Sequence, residues 1–161
     1  MDAAEIKTRL LTQMAELLRP AGFRRLGQSF SRPTRDVAHL IGLQSSQGSS
    51  THHLRATVNL AVWVPALAEE GARPNIWSSP WRARLGSLTD HPADIWWEAS
   101  DAATAAAAER DLLGMLRLYG IPALDQIPDL AALLAIWDSG RSPGLTAVER
   151  ERYLAELRGA V

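Results

Sequence analysis

Several residues of the chain are of the types that recognise ligands, and their spacing would bring them onto one surface. They are Gln44, Asn59, Arg84 and Trp96, with Arg55, Trp63 and Glu98 nearby. An arginine pairs with a carboxylate, amide side chains recognise amides, and an indole supplies flat contact area. If strand register follows the alternation of side chains, these residues share one face of a sheet. The set predicts a site for a small polar or anionic ligand, a peptide or a partner protein.

The strand that would carry Asn59 is the strongest pattern in the sequence. From Leu54 to Val64 every even-numbered residue is apolar, whereas the odd-numbered residues are mixed. This period of two predicts a long strand with one face in the core and a polar row on the other face. Burial of its large aliphatic side chains would contribute on the order of 10 kcal/mol before the entropy cost of folding.

The remaining patterns predict the elements around this strand. Asp2 and Glu5 form a capping box that opens a helix to about residue 19, and Thr146 and Glu149 form another that opens the last helix. Further strands are predicted over 23–32, 37–45, 81–88 and 95–99, and helices over 101–119, 128–137 and 146–158. Gly120 and Pro122 are expected to end the second helix. The predicted fold is α+β, a single domain 1–161 with an N-terminal helix, an antiparallel meander of four to five strands and three C-terminal helices.

Composition and charge argue against several classes of protein. The 161 residues are 47% hydrophobic and 22% charged, which is ordinary for a globular protein. The net charge is −1, so no global attraction to nucleic acid or anionic lipid is expected. The chain has no cysteine, which excludes disulfides and thiol catalysis. No apolar run approaches the ~20 residues of a membrane span, and no signal core is present. A cytoplasmic protein without nucleic-acid or membrane partners is therefore predicted.

Catalytic and metal-binding motifs do not occur in the sequence. It has no P-loop, no Gly-x-Ser-x-Gly elbow, no Rossmann glycine pattern and no His-Glu-x-x-His motif. His52 and His53 are neighbours that would diverge on a strand, and a turn explains His91 between Asp90 and Asp94. We therefore predict no metal and no cofactor. Glu98 is the one carboxylate of the polar face to test as a base.

Five of the six tryptophans lie between positions 63 and 97. Trp97 lies between Ile95 and Ala99 and is expected in the core. Trp77 and Trp81 lie in or beside a loop, so they are better candidates than Trp97 for an exposed or lid-like role. Packing remains the alternative for the tryptophans, and a C-terminal helix that covers the polar face remains the alternative for the whole candidate surface.

Short segments in the first hundred residues carry a family resemblance. They are Gly22-Phe23, Ser29-Phe30-Ser31-Arg32, Ile41-Gly-Leu-Gln-Ser-Ser46, Val58-Asn-Leu-Ala-Val62, Trp81-Arg-Ala-Arg-Leu-Gly-Ser-Leu88 and Asp94-Ile-Trp-Trp97. In this order they resemble DUF4304, a bacterial domain family of unknown function. The resemblance implies no activity and no catalytic residue. It places Arg32, Gln44, Asn59, Arg84 and Trp96 or Trp97 within the characteristic segments.

Three functions remain open from the sequence. A non-catalytic binding module is favoured, because the polar row contains recognition-type side chains without a nucleophile–base arrangement. A small enzyme with a pocket on the same face, using Glu98 or a histidine as base, is the first alternative. A protein-interaction role, such as an inhibitor or immunity-like protein, is the second, and an exposed apolar patch with Trp77 or Trp81 would favour it.

Overall fold

A computed structural model describes residues 1–159 of the chain, which contain one antiparallel sheet of six strands. The strands are β1 (Arg24–Leu26), β2 (Ser29–Pro33), β3 (Ala38–Ser45), β4 (Leu54–Trp63), β5 (Trp81–Arg84) and β6 (Trp97–Ala99). They lie in chain order from β1 to β5, and β4 pairs with β3 along one edge, whereas β5 and β6 share its other edge.

Five α-helices contribute buried side chains to one hydrophobic core, which also contains the even-numbered residues of β4. The helices are α1 (Ala3–Leu18), α2 (Ala102–Met115), α3 (Ile121–Asp125), α4 (Leu130–Asp138) and α5 (Ala147–Arg158). The even-numbered side chains from Leu54 to Val64 are all buried, as the alternation predicts. Within residues 1–159, no helix has the length and apolar character needed to cross a membrane.

The opposite face of the sheet has a different cover. A second, smaller apolar cluster lies there, formed by Ala38, Leu40, Ala61, Trp63 and Ile76. Its members come from β3, β4 and the segment 64–80, and none of the helices described in residues 1–159 contributes to it. We call this surface the helix-free face. The expected alternative, a C-terminal helix over the polar row, is not what the structure shows.

The α+β class, the N-terminal helix, the antiparallel sheet and the C-terminal helices are confirmed. The capping boxes predicted at Asp2 and Thr146 are both formed. The predicted strand 23–32 is a hairpin of two strands, since Gly27 turns the chain with a φ of +62°. One domain over 1–161 remains a prediction, and its residues 160 and 161 lie outside the described range.

The second half of the sheet departs from a simple meander of four to five strands. The predicted strand 81–88 ends at Arg84 and continues as a 3-10 helix, Leu85–Leu88. Gly86 accepts a hydrogen bond from the Ala93 N–H at 3.1 Å, so the chain folds back here instead of extending. The predicted strand 95–99 is reduced to β6, which pairs with β4 and makes the sheet six-stranded.

The helical half also differs at two of the expected boundaries. Gly120 does not end the second helix, because α2 passes through a π-helical turn, Leu116–Gly120, directly into α3. Pro122 lies in the first turn of α3, directly after Ile121, whose N–H donates to the Leu116 carbonyl across the π-helical turn. Gly120 is closely packed, since a Cβ there would lie 3.3 Å from Leu60. α4 starts after Pro128, with Asp129 as its N-cap.

Candidate functional site

A pocket of about 410 Å³ opens at the edge of the helix-free face, beside the end of β3 that extends beyond β2, and one of its lining residues, Lys7, comes from α1. We call it the polar pocket. Its polar lining consists of Lys7, Gln28, Ser29, Gln44, Ser45 and Asn59. Ile76 and Trp77 form an apolar wall beside these groups. The volume lies within the roughly 300–1,000 Å³ of small-molecule sites.

Two amide side chains form the part of the pocket that lies on the sheet. Asn59 of β4 stands opposite Gly42 of β3 in the register. Gln44 lies two residues further along β3, so its side chain projects from the same face as Asn59. The Asn59 Nδ2 donates a hydrogen bond to the Gln44 Oε1 at 2.8 Å. This bond uses one of the two donors of the Asn59 amide and leaves the Gln44 NH₂ group available. The pair can therefore offer donors and an acceptor to an amide or a carboxylate.

The other part of the pocket lies at the edge of β3. β2 begins at Ser29 opposite Gly42, and the Leu43 N–H donates to the Gln28 carbonyl at 3.0 Å. Ser45 lies two residues further along, so its N–H points to the same side, where β2 has no residue opposite it. The Ser45 side chain projects to the core side of the sheet, as Ala56 opposite it does, so its buried Oγ does not face Gln44 and Asn59. The Ser45 N–H is therefore the donor that this edge offers to a ligand or to water.

The apolar wall is fixed by a glycine and a turn. A Cβ on Gly42 would lie 2.6 Å from the Ile76 Cδ1, so Ile76 occupies a space that only a glycine provides. The Asn75 side chain accepts a hydrogen bond from the Trp77 N–H at 2.7 Å and orients the turn. The Trp77 side chain remains 59% exposed. A second hollow of about 220 Å³, lined by Leu26 and Leu40, lies beside the same wall.

Arg55 and Arg84 both place their guanidinium groups over the Trp96 ring, at 4.5 and 5.1 Å from its centroid. We call these three residues the arginine–tryptophan stack. The Arg84 Nη1 contacts the Asp94 Oδ1 at 2.7 Å, and the Arg55 Nε lies 3.3 Å from the Glu98 Oε1. Hydrogen bonds from Arg84 and then from Trp96 hold the pKa of Asp94 below its usual range. Each guanidinium thus already has a carboxylate partner.

The structure brings most of the predicted site residues together. Gln44, Asn59 and Arg84 share the helix-free face, and Arg84 stands directly opposite Asn59. Trp96 contacts Arg84 in the arginine–tryptophan stack, which also contains Arg55. Glu98 is ion-paired with Arg55. Trp63 lies on the same face but is buried in the smaller apolar cluster and does not line the polar pocket.

Sequence reasoning missed four polar residues of the pocket. Lys7, Gln28, Ser29 and Ser45 come from a helix, a turn and strand ends, where no alternation marks them. One available signal was that Lys7 is the only lysine in the chain. The expectation of an exposed role is wrong for Trp81, whose side chain faces the core opposite Val62.

A buried polar network lies on the opposite, core side of the sheet and was not predicted. The His39 Nδ1 accepts hydrogen bonds from the Arg32 Nε at 3.1 Å and Nη2 at 2.9 Å. Because a guanidinium only donates, the imidazole carries its proton on Nε2, which donates to the Ile127 carbonyl at 2.7 Å. Arg32 also donates to the Ala21 carbonyl and pairs with Asp125. Both imidazole nitrogens are used, so the neutral ring is a structural element.

The stability of the protein is expected to decrease as the pH falls below 6.5. Burial, partly opposed by the bond to Ile127, lowers the pKa of His39 below that value, and the charge of Arg32 lowers it further. In this window the unfolded chain binds a proton that the folded chain does not, so acid favours unfolding. Urea unfolding of the wild type and of His39→Gln across this range measures the effect. The variant should show a weaker dependence on pH, and an NMR titration in which His39 protonates at or above 6.5 would contradict the prediction.

No group of three or more histidine or acidic side chains in residues 1–159 is arranged to hold a metal ion. Asp94, near His91 in the sequence, is engaged by Arg84 and Trp96.

The fold and the pocket define a class: an α+β domain that packs its helices against one face of an antiparallel sheet and leaves a polar pocket at the edge of the other. The family model for the domain of unknown function DUF4304 matches residues 14–126, which is more than half of the chain. The protein therefore belongs to the DUF4304 family. The match includes all six strands and ends beyond α3, whereas Lys7 precedes it. No curated protein and no solved structure matches the chain significantly.

Proposed function

We propose that this protein is a binding module that takes a small polar or anionic ligand, or a short peptide segment, in the polar pocket. One observation carries the proposal: amide, hydroxyl and ammonium groups converge in a hollow of about 410 Å³ at the edge of the helix-free face. Such a mixture, beside an apolar wall, is typical of sites that orient a ligand through a few polar contacts. The arginine–tryptophan stack borders Asn59 and holds β5 and β6 in place around the site.

The types of the lining residues support binding more than catalysis. Glu98, the carboxylate expected as a base, is ion-paired with Arg55 and does not line the polar pocket. His39 lies on the core side, with both ring nitrogens hydrogen-bonded. A general base needs to reach the proton that it abstracts, and neither group reaches into this pocket. The enzyme alternative therefore has less support.

A second candidate, a protein-interaction role, is favoured by an exposed apolar patch. Leu26 is 62% exposed and Trp77 is 59% exposed, and both line the smaller hollow beside the apolar wall. Large apolar side chains that meet on a surface mark contact sites for other proteins. A partner bound through this patch would be released by the double change Leu26→Ser and Trp77→Ser, whereas Gln44→Met would leave it bound.

The proposal is tested by a screen of polar small molecules and short peptides against ¹⁵N-labelled protein. A true ligand should shift the side-chain NH₂ signals of Gln44 and Asn59 and the indole signal of Trp77. Gln44→Met, which keeps the size of the side chain but removes its amide, should weaken binding about tenfold, which corresponds to ~1.4 kcal/mol. Melting temperature checks that the variant remains folded.

The matched control is Gln126→Met, which makes the same change at an exposed position outside the pocket. Its affinity for the same ligand should equal that of the wild type. The site assignment fails if Gln44→Met binds as tightly as the control, or if the shifted signals lie elsewhere on the protein.

A further inference from the structure

The charges of the lining residues indicate which ligands the polar pocket selects. Lys7 is the only charged side chain in the lining, so the lining has a formal charge of +1. Its ammonium forms no ion pair with any acidic group in residues 1–159, whereas Arg55 and Arg84 both have carboxylate partners. A cation that faces a pocket without a counter-charge attracts an anionic group.

A second group at the edge of β3 points to the same chemistry. The Ser45 N–H points to the side where β2 has no residue opposite it. Together with the Lys7 ammonium, this N–H places several hydrogen-bond donors at the β3 edge of the polar pocket. A carboxylate has two acceptor oxygens with about four lone-pair sites and can use all of these donors at once.

The part of the pocket on the sheet face has a different preference. The Gln44 NH₂ group and the Asn59 Oδ1 remain able to bind after the hydrogen bond between the two amides is formed. One donor and one acceptor side by side match an amide of the ligand. Ile76 and Trp77 provide the apolar wall of the same pocket.

We infer that the polar pocket binds a small carboxylate whose acid group stands next to an amide and an apolar side chain, as in an N-acyl amino acid or a peptide C-terminus. The carboxylate lies at Lys7 and Ser45, and the amide lies at Gln44 and Asn59. This inference rests on the proposed function, because it names the ligand class of the same site.

The test compares two compounds that differ only in charge, N-acetyltryptophan and N-acetyltryptophanamide, with the N-acetylphenylalanine pair as a second skeleton. Each is titrated into ¹⁵N-labelled full-length protein. The acid should bind at least about tenfold more tightly than its amide, since charge-assisted hydrogen bonds are about twice as strong as neutral ones. In Lys7→Met this preference should fall below about threefold, because the ammonium is the group that pairs with the charge of the acid.

Arg117→Met is the control for net charge, because Arg117 is exposed and does not line the pocket. It should keep the full preference for the acid. Equal binding of acid and amide in the polar pocket, or a preference that persists in Lys7→Met, overturns the inference and leaves the proposed function standing. If no compound of either pair shifts the signals of Gln44, Asn59 or Trp77, the inference is overturned, whereas the proposed function fails only if the wider screen of polar small molecules and peptides also gives no shift at these residues.

Discussion

Replacement of Arg32 by methionine is expected to destabilise the protein by about 3 kcal/mol. The guanidinium donates to the buried His39 Nδ1 and to the Ala21 carbonyl, and it lies 4.5 Å from the Phe23 ring centroid. Methionine fills much of the same volume but supplies no donor, so the imidazole nitrogen stays buried without a partner. Urea unfolding at neutral pH measures the loss.

Two further variants separate the contributions of this network. Asp125 is 52% exposed, so water screens its ion pair with Arg32, and Asp125→Asn should cost less than about 1 kcal/mol. Arg24→Met changes an exposed arginine on the neighbouring strand and should stay within about 0.5 kcal/mol of the wild type. An Arg32→Met protein as stable as Arg24→Met would show that the buried network does not stabilise the fold.

The second large effect is expected at Gly86, where alanine should cost about 2–3 kcal/mol. A Cβ on this residue would overlap the Ala93 carbonyl oxygen and lie 3.0 Å from the Ile95 nitrogen. Both neighbours are backbone atoms, which cannot move aside by a rotamer change. The segment 85–96 must shift instead, and with it the connection between β5 and β6. The melting temperature and the urea midpoint measure this effect.

Gly114→Ala is the matched control for Gly86→Ala. Gly114 lies in α2 and has no atom within 4 Å of an added Cβ. Alanine there should stabilise the protein by up to about 1 kcal/mol, because it has the higher helix propensity. If both substitutions changed stability equally, steric overlap would not be the reason for glycine at position 86.

The parts of the fold that were predicted correctly depend on local patterns. The alternation of β4 is contained in eleven consecutive residues, and it identified the buried row and the face of Asn59 without knowledge of the neighbours. The capping boxes at Asp2 and Thr146 are equally local. The approach of Gln44 to Asn59 follows from two adjacent strands joined by one loop, so alternation was enough to predict it.

The failures depend on contacts between distant parts of the chain. The polar pocket needs Lys7 of α1 beside Ser45 of β3, and nothing in either segment specifies that approach. Strand 81–88 was predicted too long because the fold-back at Gly86 is fixed by a backbone contact with Ala93. Trp81 looked like a loop residue, but its pairing with Val62 turns its ring into the core. In each case tertiary packing overrides the local pattern.

The division of one edge of β4 between β5 and β6 has a consequence for the newly made chain. As the ribosome adds residues in order, β4 finds β3 already present, but its other edge is covered in two steps, by β5 after residue 84 has emerged and by β6 after residue 99 has emerged. Until the second step is complete, part of this apolar strand offers unpaired N–H and C=O groups to other nascent molecules. A substitution that disrupts the segment 85–96 is expected to prolong this interval, and so to promote aggregation during synthesis as well as to weaken the finished protein.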